Sequence, residues 1–414
     1  MRLTPDMIRR LPKCDLHLHL DGSLRIDSLI EMARKENVKL PSYTADGLRE
    51  TVFRESYADL TEYLQGFQYT VAVLQNAENL ERAAYELMED NLKEGCRYIE
   101  VRFAPQLHVH DDLSWEDILG AVDRGLRRAR DQFNTGTEGV RAGIEPPCEY
   151  GIIVCAMRKF EPFYSAYYQR LFDVFRFATP KEIFRHASLE LARAVVSIRD
   201  RLGLPIVGFD LAGDESGWPA IDHREAFQFV HKNFMKKTVH AGEAFGPQSI
   251  FQAITELYAD RIGHGSHLYH FEMIPNGTEA DRAEYVERLG QFIADGRVTI
   301  EVCLSSNLQT DPGLGDLSRH PFGEMKRRRL SYTLGTDNRL VSSTDTCREL
   351  TLALRHFEFT RADLRNMLIY GFKRSFYPGP YTEKRQYVRK VINYYEHLER
   401  TCFPPSGDDP VVTA

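Results

Sequence analysis

The chain has 414 residues, 43% hydrophobic and 27% charged, with a formal charge of −7. That length can bury one large core or two ordinary ones, and the composition is that of a globular protein. The negative balance argues against a nucleic-acid partner, and the densest basic cluster, Lys326 to Arg329, reads as a solvated face.

No apolar run approaches bilayer length, and the start, Met-Arg-Leu-Thr-Pro-Asp, lacks the apolar core of a signal peptide. Seven cysteines include no Cys-x-x-Cys pair, and their odd number does not suggest a disulfide framework. A cytoplasmic location without membrane contact is the expectation.

In chain order, β-rich runs are predicted at 13–18, 98–104, 150–157, 205–211, 237–240, 261–264, 298–304 and 330–336. Between them lie stretches such as 80–93 and 115–132 with apolar residues at helical spacing. Strands alternating with helices make βαβ units and a parallel sheet. Eight units predict an α/β fold, a (β/α)8 TIM barrel whose core takes roughly 250 residues. The excess becomes helical insertions over the C-terminal face, mainly between the first two strands, at about 26–95. Within that insertion the aromatic-rich segment 57–74 predicts a helix, either packed on the barrel or forming a lid. A second excursion, 158–184, is also rich in Phe and Tyr, and 134–147 reads as a solvent loop. Residues 1–403 are read as one barrel domain and 404–414 as a flexible tail.

In such a barrel, chemistry sits at the C-terminal strand ends. His17 and His19 end the first strand in Asp-Leu-His-Leu-His-Leu-Asp-Gly-Ser. On a strand, residues i and i+2 face the same way, so both imidazoles converge on one point. His240 ends the fifth strand, with Glu243 three residues on; His264 ends the sixth; Asp337 follows the eighth. Three imidazoles and a carboxylate suit a zinc-type ion with one position left for water. Glu243 is the best-placed carboxylate for proton transfer. His264, between two glycines, could orient a nucleophile, act as a fourth imidazole ligand, or be a satisfied core histidine. Leu211-Ala-Gly-Asp-Glu215 offers a glycine amide beside two carboxylates, whereas His267, His270 and His320 read as surface or structural residues.

Taken together, His17-Leu-His-Leu-Asp-Gly-Ser23, Tyr98-Ile-Glu-Val-Arg102, Asp210-Leu-Ala-Gly-Asp-Glu215, His240-Ala-Gly-Glu243, Ile262-Gly-His-Gly265, Glu301-Val-Cys303 and Thr336-Asp337 resemble the adenosine deaminase family of the amidohydrolase superfamily. The resemblance spans most of the chain. It implies one zinc per chain, held by His17, His19, His240 and Asp337. It makes Glu243 the proton donor to the purine ring nitrogen and His264 the residue that positions hydroxide. It also implies that Gly213 donates its amide to the base, that Asp21 holds the sugar hydroxyl, and that the 57–74 segment lines the mouth. Met157, ending the third strand, joins Tyr63, Leu64 and Phe67 as an expected substrate contact. The implied reaction converts adenosine or 2′-deoxyadenosine to inosine or deoxyinosine and ammonia, in purine salvage.

One departure is Asn338, where the best-known members carry a second aspartate. An asparagine amide donates at any pH, whereas an aspartate must be protonated to do so. Deamination of adenine, AMP or a modified adenosine remains an alternative. A two-metal hydrolase would want a lysine or bridging carboxylate after the fourth strand, and Asp210-Leu-Ala-Gly carries no lysine. A further alternative is a barrel that binds nucleosides, or is held together by zinc, without turnover. The Pro-Cys-x-x-Cys of cytidine-type deaminases is absent.

Overall fold

The computed structural model describes residues 2–402 and 411–414. Strands β1 (Lys13–His19), β2 (Cys96–Phe103), β3 (Glu149–Met157), β4 (Ile206–Ala212), β5 (Lys236–Ala241), β6 (Arg261–His264), β7 (Thr299–Val302) and β8 (Ser331–Leu334) pair in chain order, all parallel. The ring closes just beyond β8. The His19 N–H donates to the Asp337 carbonyl at 2.8 Å, and the Asp337 N–H donates to the His17 carbonyl at 2.8 Å. The seam of the barrel therefore falls on three of the predicted ligand residues. The (β/α)8 expectation holds, with each strand within a few residues of its predicted place.

Helices cover the outer face, so the strands are buried on both sides and read as nearly continuous apolar runs. Local sequence starts these helices sharply. Ser114 with Asp117, Thr179 with Glu182, Thr278 with Asp281 and Thr360 with Asp363 each form a reciprocal capping box. The helix Pro180–Leu202 also has proline in its first turn and ends at Gly203 in the left-handed region, φ 64°. No helix of the described residues is long and apolar enough to cross a membrane.

Three expectations are corrected. The 57–74 segment is two short helices, Leu60–Leu64 and Phe67–Val73, separated at Gln65 and Gly66, rather than one. The start of this segment reaches across the barrel mouth: the Tyr57 N–H donates to the Gln309 carbonyl at 3.3 Å, and Thr61 Oγ1 lies 3.4 Å from Asp214 Oδ2. The stretch 134–147 is only partly loop, because one helix runs on to Gly136 and a further turn spans Glu138–Arg141. The expected flexible tail, 404–414, lies partly outside the described residues, but 411–414 are docked on the fold. Val411–Val412 pairs antiparallel with Phe359–Thr360, and Thr413 bridges to Arg2.

Candidate metal and proton-transfer site

The strand ends bring the predicted residues together at the C-terminal mouth. Ligand atoms of His17, His240, His264 and Asp337 all lie within 4.8 Å of one another, and all four residues are buried. His19 joins them: its Nε2 is 3.1 Å from His240 Nε2 and 3.4 Å from Asp337 Oδ1. His17 Nε2 is likewise 3.4 Å from Asp337 Oδ1. Close approach here requires glycine at position 263, because a Cβ there would sit 2.9 Å from His17 Cε1. Two non-glycine members, His264 (φ 65°) and Asp337 (φ 57°), hold left-handed backbone, a strain that clusters at functional sites.

What stands behind each imidazole decides which nitrogen faces inward. His17 Nδ1 donates to Glu301 Oε2 at 2.8 Å, and His240 Nδ1 donates to Asp210 Oδ2 at 3.1 Å. A carboxylate only accepts, so in both rings the proton is on Nδ1 and the Nε2 lone pair points into the cluster. His17 Nε2 is buried and has no hydrogen-bond partner. Lone pairs directed at one point, an orphaned buried nitrogen and a carboxylate beside it are a donor set that fits a divalent cation of zinc type.

Glu301 and Asp210 are themselves held by charge. Arg102 bridges them, with Nη2 2.8 Å from Glu301 and Nη1 3.0 Å from Asp210. Arg261 bridges Glu301 and Glu100. Burial alone would raise the Glu301 carboxyl, but Arg102 and Arg261 hold it well below the usual range. Asp15 ties the seam, accepting from Thr336 Oγ1 at 2.5 Å and from the His17 N–H at 3.2 Å.

Glu243 is buried, with Oε1 3.5 Å from His264 Nε2. Burial pushes its carboxyl up to about 8. Its position is set by Glu215, one of the two carboxylates in the β4 turn. That side chain accepts the backbone N–H groups of Gly242 (3.0 Å), Glu243 (3.0 Å), Ala244 (2.8 Å) and Phe245 (3.0 Å). The loop carrying Glu243 is thus wrapped around a buried anion.

The predicted substrate residues are distributed around this centre. Asp21 is buried, one oxygen has no partner, and burial pushes it up to about 7. Gly213 has φ +93°, and a Cβ there would lie 3.4 Å from Met157 Cε, so these two predicted contacts are neighbours. Tyr63 is not an open lining residue. Its ring is buried 5.1 Å from that of Tyr57, and its hydroxyl accepts from Asn338 Nδ2 at 2.9 Å while lying 2.8 Å from Ser342 Oγ. Leu64 and Phe67 are half-buried and pack on the hydrophobic core.

The family model for adenosine deaminase matches residues 12–179 and 171–394. The adenosine deaminase of Mycobacterium marinum is 34% identical over 94% of this chain and 96% of its own length. The chain belongs to the adenosine deaminase family. As a family member it is a hydrolytic deaminase. Adenosine deaminase 1 of Streptomyces coelicolor is also 34% identical, over 94% of this chain and 88% of its own. Among solved structures, an amidohydrolase from Burkhoderia ambifaria with bound Zn superposes with TM-score 0.74 at 18% identity, covering 97% of this chain and 96% of its own. An adenine deaminase from Arthrobacter aurescens gives 0.71 at 19%, covering 93% and 99%. An Arabidopsis N6-mAMP deaminase gives 0.70 at 22%, covering 94% and 99%. These three share the fold.

Sequence reasoning assigned no role to Asp15, Arg102, Asp210, Glu215, Glu301 or Asn307. A signal existed for five of them: charged residues inside otherwise apolar, fully buried strands or turns are rare without a partner. Asn307 carried no such mark, since it lies on the helix Leu304–Thr310, where the seventh strand was expected to end. His320, expected to be surface or structural, is buried; His267 and His270 contact one another, with Nδ1 atoms 2.7 Å apart.

Proposed function

We propose that this family member hydrolyses adenosine and 2′-deoxyadenosine to inosine and deoxyinosine, with one zinc held by His17, His19, His240 and Asp337. The observation that carries the reading is the meeting of two kinds of group at one point. Inward-facing imidazole lone pairs and Asp337 stand beside a buried Glu243 whose carboxyl keeps its proton near neutral pH. Zinc, when bound, would supply the Lewis acidity that makes hydroxide available near neutral pH.

The chain's own residues do the rest. Glu243 gives its proton to the purine ring nitrogen beside the carbon that bears the amino group. This offsets the cost of breaking the ring's aromaticity as oxygen adds. His264 donates to the incoming oxygen. The carbon–oxygen bond forms, the proton of the added hydroxyl passes to the amino nitrogen, the carbon–nitrogen bond breaks, and ammonia leaves. The product keeps the proton that Glu243 gave, and Glu243 is reprotonated from the next water. Gly213 offers its N–H to the base, Asp21 takes a sugar hydroxyl, and Asn338 has a second amide hydrogen left for the imidazole ring of the purine. Met157, Leu64 and Phe67 supply apolar contact. Adenosine is preferred over adenine or a nucleotide because relatives named adenosine deaminase match 94% of the chain at 34% identity.

An ultraviolet assay of adenosine, 2′-deoxyadenosine, adenine, AMP and N6-methyl-AMP tests this directly. The nucleosides should give the highest kcat/KM, and Glu243→Gln should lower kcat by about 100-fold or more. A nucleobase or nucleotide turned over tenfold better would overturn the substrate, and a fully active Glu243→Gln would overturn the proton donor.

A further inference from the structure

We infer that Asn307 and His320 lock His264 as the Nε2–H tautomer, reserving it as a hydrogen-bond donor to the reacting oxygen and withholding it from the metal. The inference rests on the proposed function above and goes beyond it by giving positioning roles to two residues that do not touch the substrate.

The polarity of the chain behind His264 is set at its far end. The backbone N–H of Phe322 lies 3.1 Å from His320 Nδ1. A backbone N–H can only donate, so that nitrogen is unprotonated. His320 is neutral, since burial pushes it down to about 3, and its single proton is therefore on Nε2. Nε2 is 3.2 Å from Asn307 Oδ1, which accepts it. The other end of the amide, Nδ2, is 3.0 Å from His264 Nδ1. An amide nitrogen only donates, so His264 Nδ1 accepts and its proton must sit on Nε2. Each orientation follows from the one before. His264, Asn307 and His320 are all buried, so water does not compete for these bonds.

The outcome is opposite to that at His17 and His240. Those rings have carboxylates behind them and present lone pairs. His264 has an amide behind it and presents N–H. By distance alone His264 qualifies as a ligand, since its donor atom falls within the same 4.8 Å cluster. The tautomer excludes it. Its Nε2 is buried without a hydrogen-bond partner and points towards Glu243 Oε1 at 3.5 Å. An N–H there, opposite the proton donor, is poised for an oxygen entering between them.

The test uses the zinc-loaded, full-length enzyme labelled with 15N-histidine, with His264 assigned by its absence from the His264→Gln spectrum. The expected result is a protonated Nε2 and an unprotonated, hydrogen-bonded Nδ1. A metal-bound Nε2, or a proton on Nδ1 alone, would overturn the inference. Asn307→Asp replaces the donor by an acceptor at nearly constant volume. It should lower kcat by about 100-fold while KM stays within about threefold, because a donor made useful in the transition state is lost. The visible spectrum of its cobalt-substituted form should also change, as His264 Nε2 becomes free to coordinate. His320→Gln, which keeps an N–H for Asn307 Oδ1, should retain activity within about tenfold and the wild-type tautomer. Unchanged kcat and cobalt spectrum in a folded Asn307→Asp would refute the positioning role. Should the wild-type enzyme deaminate no purine, the proposed function fails, while the spectrum still reports the tautomer.

Discussion

Glu301→Gln isolates the contribution of the charge at the centre of the barrel. The wild-type carboxylate has Oε2 2.8 Å from His17 Nδ1 and 2.8 Å from Arg102 Nη2, and Oε1 2.5 Å from Arg261 Nε and 3.0 Å from Thr238 Oγ1. A glutamine amide keeps one oxygen, so one of these pairs must face an NH2 group. Either way a buried guanidinium N–H meets another donor. Neither arginine is stripped of its charge partner, because Asp210 remains 3.0 Å from Arg102 and Glu100 still pairs with Arg261. The expected cost is therefore at the lower end for breaking a buried ion pair, about 3 kcal/mol. Loss of the anion behind His17 should weaken metal binding by a further 10- to 100-fold, roughly. Urea unfolding with a chelator present separates the first effect from the second, and zinc titration measures the second. The control is Glu324→Gln, which disturbs solvent-accessible pairs with exposed Arg327 and half-buried Arg328 and should cost under about 1 kcal/mol. If Glu301→Gln costs no more than Glu324→Gln, the account of the interior network is wrong.

Chelation should abolish deaminase activity and zinc should restore it, with metal analysis returning one zinc per chain; a reproducible two would refute the mononuclear site. Gly22→Ala places a methyl 1.9 Å from Asn338 Oδ1, and Asn338 is pinned by Tyr63. KM for adenosine should therefore rise about tenfold, the loss of one hydrogen bond; unchanged KM would remove Asn338 from substrate binding. Glu349 is buried and pushed up to about 7 from an ordinary 4.5. From about pH 4.5 to 7 the folded state holds a proton that the unfolded chain releases, so stability falls as pH rises, by up to about 3 kcal/mol. Urea unfolding across that range should show stability falling with pH in the wild type, where Asp21 and Glu243 are raised in the same sense, and falling by up to about 3 kcal/mol less in Glu349→Gln; equal slopes in the two would refute it.

Much of the site was legible because a strand's alternation and a barrel's geometry convert spacing into position. His17 and His19 share a face, and the ends of β5 and β6 fall beside them. The second layer was hidden for a physical reason: its bonds join distant positions. Glu301 lies 284 residues from His17, and Asn307 lies 43 from His264. No local periodicity marks such pairs. The 57–74 segment misled differently, since its aromatic spacing suits one helix. Asp59 caps a new helix by accepting from the Glu62 N–H at 2.8 Å, and Gly66 precedes the next. The pairing of 411–414 depends on Phe359–Thr360, which no reading of the terminus alone reveals.

A barrel of this kind is ordinarily filled by layers of branched aliphatic side chains. Here Glu100, Arg102, Asp210, Arg261 and Glu301 are buried among the strands and linked in one charged chain. Well-packed apolar residues of similar volume are often as stabilising as a buried ion pair, or more so, so stability does not account for the network. Position does. Two of its members end on imidazole Nδ1 atoms, Glu301 on His17 and Asp210 on His240. A carboxylate left alone in that interior would take up a proton and cease to be an obligate acceptor. The arginines keep Glu301 and Asp210 ionised, and ionised carboxylates keep both rings presenting lone pairs to the mouth. The charges at the barrel's centre thus set the chemistry at its rim.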